Sequence, residues 1–256
     1  MKKIYFFIAF LSLVVFSSFD SKASHIMGGE ITWECLSNGD YKFEFKVYRD
    51  CQGANIAPEQ SGVIRIHNYP TVGQPPTIIP TSQWTVVRNG DLSPDCPSAP
   101  GNFSCANRSP ESVFEYVRSF TRRLVGVPPS AGWIITYSDF ARNSNDNIVG
   151  TPGVSLRAKI FRHSGSISDT CVDNSPKFRE LATSLICVGR PFTYNPNATD
   201  DELDSLVYDW ARPLNQNSGN SVFVEGVQPP NVNFQSGYSF NSPFPGPSQN
   251  PNNVSA

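Results

Sequence analysis

The alternation of apolar and polar side chains over residues 41–48 is the feature that most constrains the fold. Its odd-numbered positions are Tyr, Phe, Phe and Val, whereas its even-numbered positions are Lys, Glu, Lys and Tyr. This pattern is typical of a β-strand with one buried and one solvated face. A second strand-like run, 29–34, precedes it, and Asn38-Gly39 between them favours a tight hairpin turn. The sequence therefore predicts an antiparallel hairpin with its tip at Asn38-Gly39.

The rest of the chain also favours strands over helices. Pro (22 residues) and Gly (18 residues) are frequent, charged residues make up 16%, and no run of about 12 residues has helical periodicity. Short runs rich in aromatic and β-branched residues lie between turn signals, which indicates an all-β fold. In the first part of the chain these predicted strands are 63–67, 83–88, 113–124, 133–137 and 154–161.

Residues 1–23 have the parts of a secretory signal peptide. Lys2 and Lys3 precede a 13-residue apolar run, 4–16, and Ser21 and Ala23 provide small residues for cleavage after Ala23. Because a bilayer span needs about 20 apolar residues, this run is too short to be a transmembrane helix. An uncleaved anchor or a buried N-terminal helix is the alternative. No later run resembles a transmembrane helix, so we expect an exported mature chain that does not span a membrane.

The charge and length of the mature chain narrow its class. Residues 24–256 carry 17 basic and 21 acidic residues, a net charge of −4. This balance argues against nucleic-acid binding, which requires a basic surface. The 233 remaining residues fit one large or two modest domains.

A second β unit is predicted after the first, with the domain boundaries 24–165 and 166–256. Its candidate strands are fewer than the roughly seven of a sandwich. Residues 212–256 contain seven Pro and nine Asn, which indicates a loop-like tail without a packed core of its own. We therefore expect the second unit to be truncated and the chain to be the N-terminal part of a longer protein. The candidate strands are 184–188, 192–195, 206–210 and 222–224.

The six cysteines, none of them in a C-x-x-C pair, favour an oxidising compartment. The predicted hairpin separates Cys35, near its tip, from Cys51, beyond its far end, by roughly 30 Å. A disulfide requires Cα atoms within about 7 Å, so these two are not expected to pair. We expect each of them to bond into the loop 89–112, one to Cys96 and the other to Cys105, and Cys171 to bond to Cys187.

Several segments resemble one family. They are SHIMGGEITWEC (24–35), YKFEFKVYRDCQG (41–53), GWIITYSDFARN (132–143), NSPKF (174–178) and ICVGRPFTYNPNATDDELDSLVYDW (186–210). Together they resemble the N-terminal region of large gliding-motility-associated surface proteins of Bacteroidetes, which carry PKD or cadherin repeats and a type IX secretion sorting domain. Phe140 and Ala141 stand where that family usually has two cysteines.

The resemblance implies two Ig-, PKD- or cadherin-like β-sandwich units and a destination at the cell surface or in the medium. It also implies contact with the export machinery and with an extracellular protein or polysaccharide. On these grounds we expect a secreted structural or adhesin-like protein without catalytic activity. The alternative is a carbohydrate-binding accessory part of a secreted carbohydrate-active enzyme.

An acidic loop is the best candidate for a metal site. Asp200, Glu202 and Asp204 present carboxylates at alternate positions, and Asn197 precedes them with a further oxygen. Such oxygen ligands suit a calcium ion. The family pattern has Asp where Glu202 stands and Gly where Leu203 stands. A solvated acidic turn is the alternative interpretation.

Other candidate residues have a functional and a structural interpretation. Asp139, Arg142 and Asn143 form either a polar binding spot or a turn in which Arg142 pairs with Asp139. The tryptophans lie in strand-like runs, so core packing is favoured over glycan binding. The three histidines have no nucleophile or metal motif beside them. The tryptophans are Trp33, Trp84, Trp133 and Trp210, and the histidines are His25, His67 and His163.

Overall fold

The computed structural model describes residues 26–53, 62–93, 103–109, 112–140, 142–162, 171, 173–180, 195–217, 219, 222–225 and 227–244. Within these ranges the chain forms ten β-strands and a single 3-10 turn, Thr81–Gln83, so the predicted all-β class is confirmed. The strands are β1 (Ile26–Cys35), β2 (Tyr41–Asp50), β3 (Val63–His67), β4 (Thr77–Ile79), β5 (Thr85–Asp91), β6 (Val113–Arg122), β7 (Trp133–Asp139), β8 (Val154–Ile160), β9 (Lys177–Phe178) and β10 (Ala198–Thr199).

Sheet 1 is antiparallel, with strand order β1-β2-β6-β5. Cys35 pairs with Tyr41 across the predicted hairpin, and Gly39 supplies the left-handed turn with a φ of +81°. The side chains of β2 alternate between buried and half-buried along its whole length. The hairpin and its register are therefore as the sequence predicts. At the opposite edge, Arg88 of β5 forms an ion pair of 2.9 Å with the buried Glu115 of β6.

Sheet 2 is also antiparallel, with strand order β4-β3-β7-β8. Both faces of its strands β3 and β7 are largely buried. Ile64 and Ile66 of β3 point into the core, while Arg65 and His67, which alternate with them, are only 4% and 0% exposed. Something outside the two sheets must therefore cover the far side of sheet 2.

The two sheets pack face to face around an aromatic core. Phe43 lies 5.0 Å from Phe120 in a stacked arrangement, and Phe45 of sheet 1 lies 6.3 Å from Tyr137 of sheet 2, measured between ring centroids. Trp133, on sheet 2, is 1% exposed and meets Tyr41 edge to face. Large buried rings contribute much of the hydrophobic stabilisation of such a core. The two sheets thus form one β-sandwich.

The cover on sheet 2 comes from late in the chain. The described residues between Pro213 and Gln235, called the strap from here on, run along the edge of β8 and over the outer face of the sheet. Leu214 bridges Ser155 of β8, and Phe234 bridges Ile148. Leu214 and Val232 are 9% and 2% exposed. The described residues of the tail form no long strand, as predicted, but they bury apolar side chains against the first sandwich.

Parts of the predicted second unit differ from the structure. Residues 206–210 do not form a strand, and Val207 and Trp210 in this run are 90% and 58% exposed. In 222–224 only Val224 makes an isolated bridge, to Gln228. The predicted strand 184–188 and all of 192–195 except its last residue lie outside the described residues. In the described part of 166–256, the regular structure is the hairpin of β9 and β10.

Two disulfides are present among the described residues, and one corrects our expectation. Cys51 bonds to Cys105, one of the two alternatives for Cys51. Cys35, however, bonds to Cys171 with a Cα–Cα distance of 5.3 Å, so its predicted bond into the loop 89–112 and the predicted Cys171–Cys187 bond were wrong. Cys96 and Cys187 lie outside the described residues. Cys35 bonds to Cys171 because the chain after the sandwich returns to the tip of the β1–β2 hairpin, and local sequence spacing does not reveal this return.

Candidate functional site

The returning chain lies along the free edge of β1. Ser175 donates its backbone N–H to the carbonyl of Trp33 at 3.1 Å and accepts the Trp33 N–H on its hydroxyl at 2.8 Å. Asn174 accepts the N–H of Cys35 at 2.7 Å, next to the Cys35–Cys171 bond. Unpaired backbone groups on an edge strand promote association with other chains, so this segment protects the edge. It also fixes the position of the β9–β10 hairpin.

The solvated face of the β1–β2 hairpin carries a ladder of opposite charges. Residues directly opposite each other on antiparallel strands point to the same side, and here they are Glu30 with Lys46 and Glu34 with Lys42. The first pair is 2.7 Å apart and the second is 3.9 Å apart. Between the two pairs, Glu44 stands between the small residues Thr32 and Ser119. The short neighbouring side chains therefore leave a depression in the surface of the ladder, with the Glu44 carboxylate at its centre.

The β9–β10 hairpin forms a wall beside this ladder. Its charged side chains are tied to β10 and the following loop, because Lys177 lies 3.2 Å from Asp201 and Arg179 donates to the Thr199 hydroxyl at 2.8 Å. Phe178, between them, is 49% exposed. The wall thus presents an aromatic ring flanked by two positioned cations.

The ladder and the wall enclose a groove of about 230 Å³, called the hairpin groove from here on. Thr32 and Glu44 lie on its ladder side, and Lys177, Phe178 and Arg179 lie on its wall. It is smaller than the usual pocket of about 300–1,000 Å³ for a drug-sized ligand. Its mixture of donors, acceptors and one exposed ring suits a small hydroxyl-rich ligand, such as a single sugar unit of a longer chain.

The acidic loop does not gather its three carboxylates around one point. Asp200 accepts the backbone N–H groups of Glu202 and Asp204 at 3.1 and 2.9 Å, while Glu202 accepts the side-chain amide of Asn174 at 2.7 Å. The residues that the structure describes include no group of three or more His, Cys, Asp or Glu that could hold a metal ion. Leu203 has a φ of +64°, the conformation that glycine adopts easily. The loop is thus a tight acidic turn that contacts the returning chain.

The second candidate cluster joins the strap to the sandwich. Arg142, only 9% exposed, donates to the Leu214 carbonyl at 3.0 Å, and burial lowers the pKa of its guanidinium. Asn143 donates its N–H to the Ile26 carbonyl at 3.3 Å, and Asp139 accepts the Tyr137 hydroxyl at 3.1 Å. Arg142 and Asn143 therefore hold the start of β1 and the start of the strap, which is a structural role that spacing alone did not predict.

The tryptophans and histidines differ in their burial. Trp33, Trp84 and Trp133 pack in or against the core, as predicted, whereas Trp210 is exposed and its predicted core role was wrong. His25 and His163 lie outside the described residues. His67 is fully buried, its Nε2 lies 3.0 Å from the Thr136 hydroxyl, and its ring centroid is 5.6 Å from that of Phe223 in the strap.

The strap contacts were not predicted from the sequence. Glu225 lies 2.7 Å from Lys159 and also pairs with Arg157, both on β8. The hydrogen bond from Lys159, followed by that from Arg157, holds the pKa of the Glu225 carboxyl below its usual range. One sequence feature could have predicted this contact. Arg157 and Lys159 are basic residues at alternate positions of a predicted strand, and Glu225 is the single acidic residue of the tail 212–256.

Among the described residues, no helix is long and apolar enough to cross a membrane. Searches against protein families, curated proteins and solved structures found no match for this chain.

Proposed function

We propose that the chain is a non-catalytic structural module of an exported, adhesin-like surface molecule, with a role in surface attachment or gliding motility. The observation that carries the proposal is the Cys35–Cys171 bond, which clamps the chain leaving the sandwich onto its first strand. The signal-like residues 1–23 and the family resemblance support export. The two disulfides are compatible with an extracytoplasmic compartment.

The clamp suits a protein that bears force. Tension applied between the sandwich and whatever follows residue 171 passes through a covalent bond and through the hydrogen bonds of Ser175 to Trp33. Hydrogen bonds alone open locally at low free-energy cost, whereas a disulfide does not open without a reductant. The segment that follows Cys171 would then stay tethered to the sandwich when the molecule is pulled.

Surface display is tested on the cells that produce the protein. Antibody against the purified chain should label intact cells or the medium, and deletion of the gene should reduce attachment or spreading on a surface without slowing growth in liquid. An antibody against a cytoplasmic protein serves as the permeability control. Labelling that requires permeabilised cells would refute export, and a deletion strain that attaches and spreads normally would refute the proposed role.

The hairpin groove favours a second candidate, a carbohydrate-binding accessory module. An exposed ring beside fixed charged side chains is a combination that binds sugars through ring stacking and hydroxyl hydrogen bonds. Phe178 supplies the ring, and Glu44 and Arg179 supply an acceptor and a donor in the same groove.

For this candidate we expect Phe178→Ala to weaken binding to any polysaccharide found on a glycan array by about tenfold, because the stacking surface is lost. Phe161→Ala is the matched control, since Phe161 is 57% exposed and does not line this groove. Equal affinities of the two variants would exclude the groove as the sugar site. Failure of the wild-type chain to bind any glycan would exclude the candidate altogether.

A further inference from the structure

The outer face of sheet 2, beneath the strap, carries buried polar side chains beside the buried Ile134. Arg65 and His67 of β3 and Thr136 and Ser138 of β7 lie on this face, and each is at most 4% exposed. Their neighbours on the strands, Ile64, Ile66 and Ile135, fill the core on the other side. A polar sheet face normally faces water, so these side chains require partners within the protein.

Several buried nitrogen atoms on this face have no partner among the described residues. They are Nε and Nη1 of Arg65 and Nδ1 of His67, all with negligible solvent exposure. The two residues are separated by one position on the same strand, which places their side chains on the same face with Cα atoms about 7 Å apart. Burying a guanidinium without an anion costs several kcal/mol, and buried donors in native proteins are almost always satisfied.

The carboxylate of the strap does not meet this need. Glu225 is paired with Lys159 and Arg157. The hydrogen bonds and the charges of these two cations hold the pKa of the Glu225 carboxyl below its usual range. Arg157 lies in the same cross-strand row as Arg65, with the short Thr136 between them. Among the described residues this face therefore has three cations and one carboxylate, and Arg65 is the cation that forms no ion pair with that carboxylate.

We propose that this face holds a small oxyanion, bound by the guanidinium of Arg65 and the Nδ1–H of His67 beneath the strap. Guanidinium groups bind carboxylate, sulfate and phosphate through several charge-assisted hydrogen bonds. In the proposed complex the Thr136 hydroxyl, 3.0 Å from His67 Nε2, donates to that nitrogen, so that the ring proton is on Nδ1 and faces the anion.

The test uses the purified full-length oxidised chain and three salts at equal ionic strength: sodium sulfate, sodium phosphate and sodium chloride. We expect millimolar sulfate or phosphate, whichever the site prefers, to raise the melting temperature saturably by about 3 °C above chloride. Arg65→Gln should remove this difference, and Arg65→Lys, which keeps the charge without the planar donor set, should reduce it. Arg122→Gln, on sheet 1, should leave it unchanged.

Two outcomes would overturn the proposal. One is an equal rise in chloride, which would indicate screening of charge and not a bound oxyanion. The other is an unchanged rise in Arg65→Gln, which would place the effect elsewhere, including general salting-out by sulfate. If Arg65→Gln does not fold, calorimetric titration of the wild-type chain with each oxyanion decides the matter, since absence of saturable heat excludes the site. The outcome is independent of the proposed surface role.

Discussion

Replacing both Cys35 and Cys171 with serine is expected to lower the melting temperature by about 10–20 °C. The bond closes a loop with a sequence separation of 136 residues. The loop-entropy relation gives about 5 kcal/mol for a loop of this length, and chains of this size lose about 2–4 °C per kcal/mol. Thermal unfolding followed by circular dichroism, with and without reductant, measures the effect.

Removal of the Cys35–Cys171 bond should also cause a local loss of protection, which distinguishes it from the Cys51–Cys105 bond. Without the clamp, the segment that contains Asn174 and Ser175 is held to β1 by hydrogen bonds alone, and these should open frequently. We expect faster amide hydrogen exchange at Trp33 and Cys35 and little change in β2 and β6.

The matched control is the double substitution Cys51→Ser and Cys105→Ser. Its loop has a separation of 54 residues, for which the same relation gives about 4 kcal/mol. Global stability should therefore fall by a similar amount, while the amides of Trp33 and Cys35 stay protected. Equal exchange patterns in the two variants would show that the clamp does not hold the returning chain. The structural role proposed above would then lose its main support.

The local parts of the fold were predictable because their causes are local. Alternation of side chains and the Asn38-Gly39 turn determine the β1–β2 hairpin, since a register slip of one residue would expose Phe43 and Phe45 and bury the intervening charges. Predicted strands 63–67, 133–137 and 154–161 agree with β3, β7 and β8 within two residues. Each of these runs buries apolar residues that need a partner sheet, whichever strands supply it.

The long-range parts were not predictable, because nothing in a local pattern specifies a partner more than a hundred residues away. Local spacing predicts a bond from Cys35 to the nearer loop 89–112, although the chain around Cys171 is the one that reaches it. Residues 206–210 alternate like a strand, but a strand also needs a neighbour, and Val207 remains 90% exposed. The hairpin groove depends on the same long-range return, so its residues on β9 had no distinguishing local signal.

The contacts of the strap also could not be predicted from a local pattern. Its composition, rich in Pro and Asn, excludes a core of its own, and that interpretation agrees with the absence of long strands in the described residues of this segment. What composition does not encode is that a segment without a core can still cover another domain. Phe223 contacts His67, and Glu225, the only charged residue in the sequence of this segment, pairs with Lys159 and Arg157. Only the folded arrangement identifies these contacts.

Acidification from pH 7 to pH 4 is expected to destabilise the fold by about 3 kcal/mol through His67 alone. Burial, and then the charge of Arg65, lowers the pKa of His67 to about 4, whereas in the unfolded chain it is about 6.5. As the pH falls below 6.5, the unfolded chain binds a proton that the folded chain does not, and stability decreases until the pH passes the folded value. About 2 kcal/mol of this loss falls between pH 7 and pH 5, above the range in which most carboxyl groups titrate.

Urea unfolding at pH 7, 6 and 5 in chloride buffers measures this slope, and His67→Gln, which does not titrate, should flatten it. The groups that face the ring are Arg65 on the same strand, the Thr136 hydroxyl and the Phe223 ring of the strap, with Lys159 in the same cross-strand row. None of these is a carboxylate that would favour the protonated imidazole. A slope that is the same in His67→Gln would show that other groups cause it. The proposed oxyanion supplies the missing negative charge, so adding it should raise the pKa of His67 and make the slope in wild type shallower.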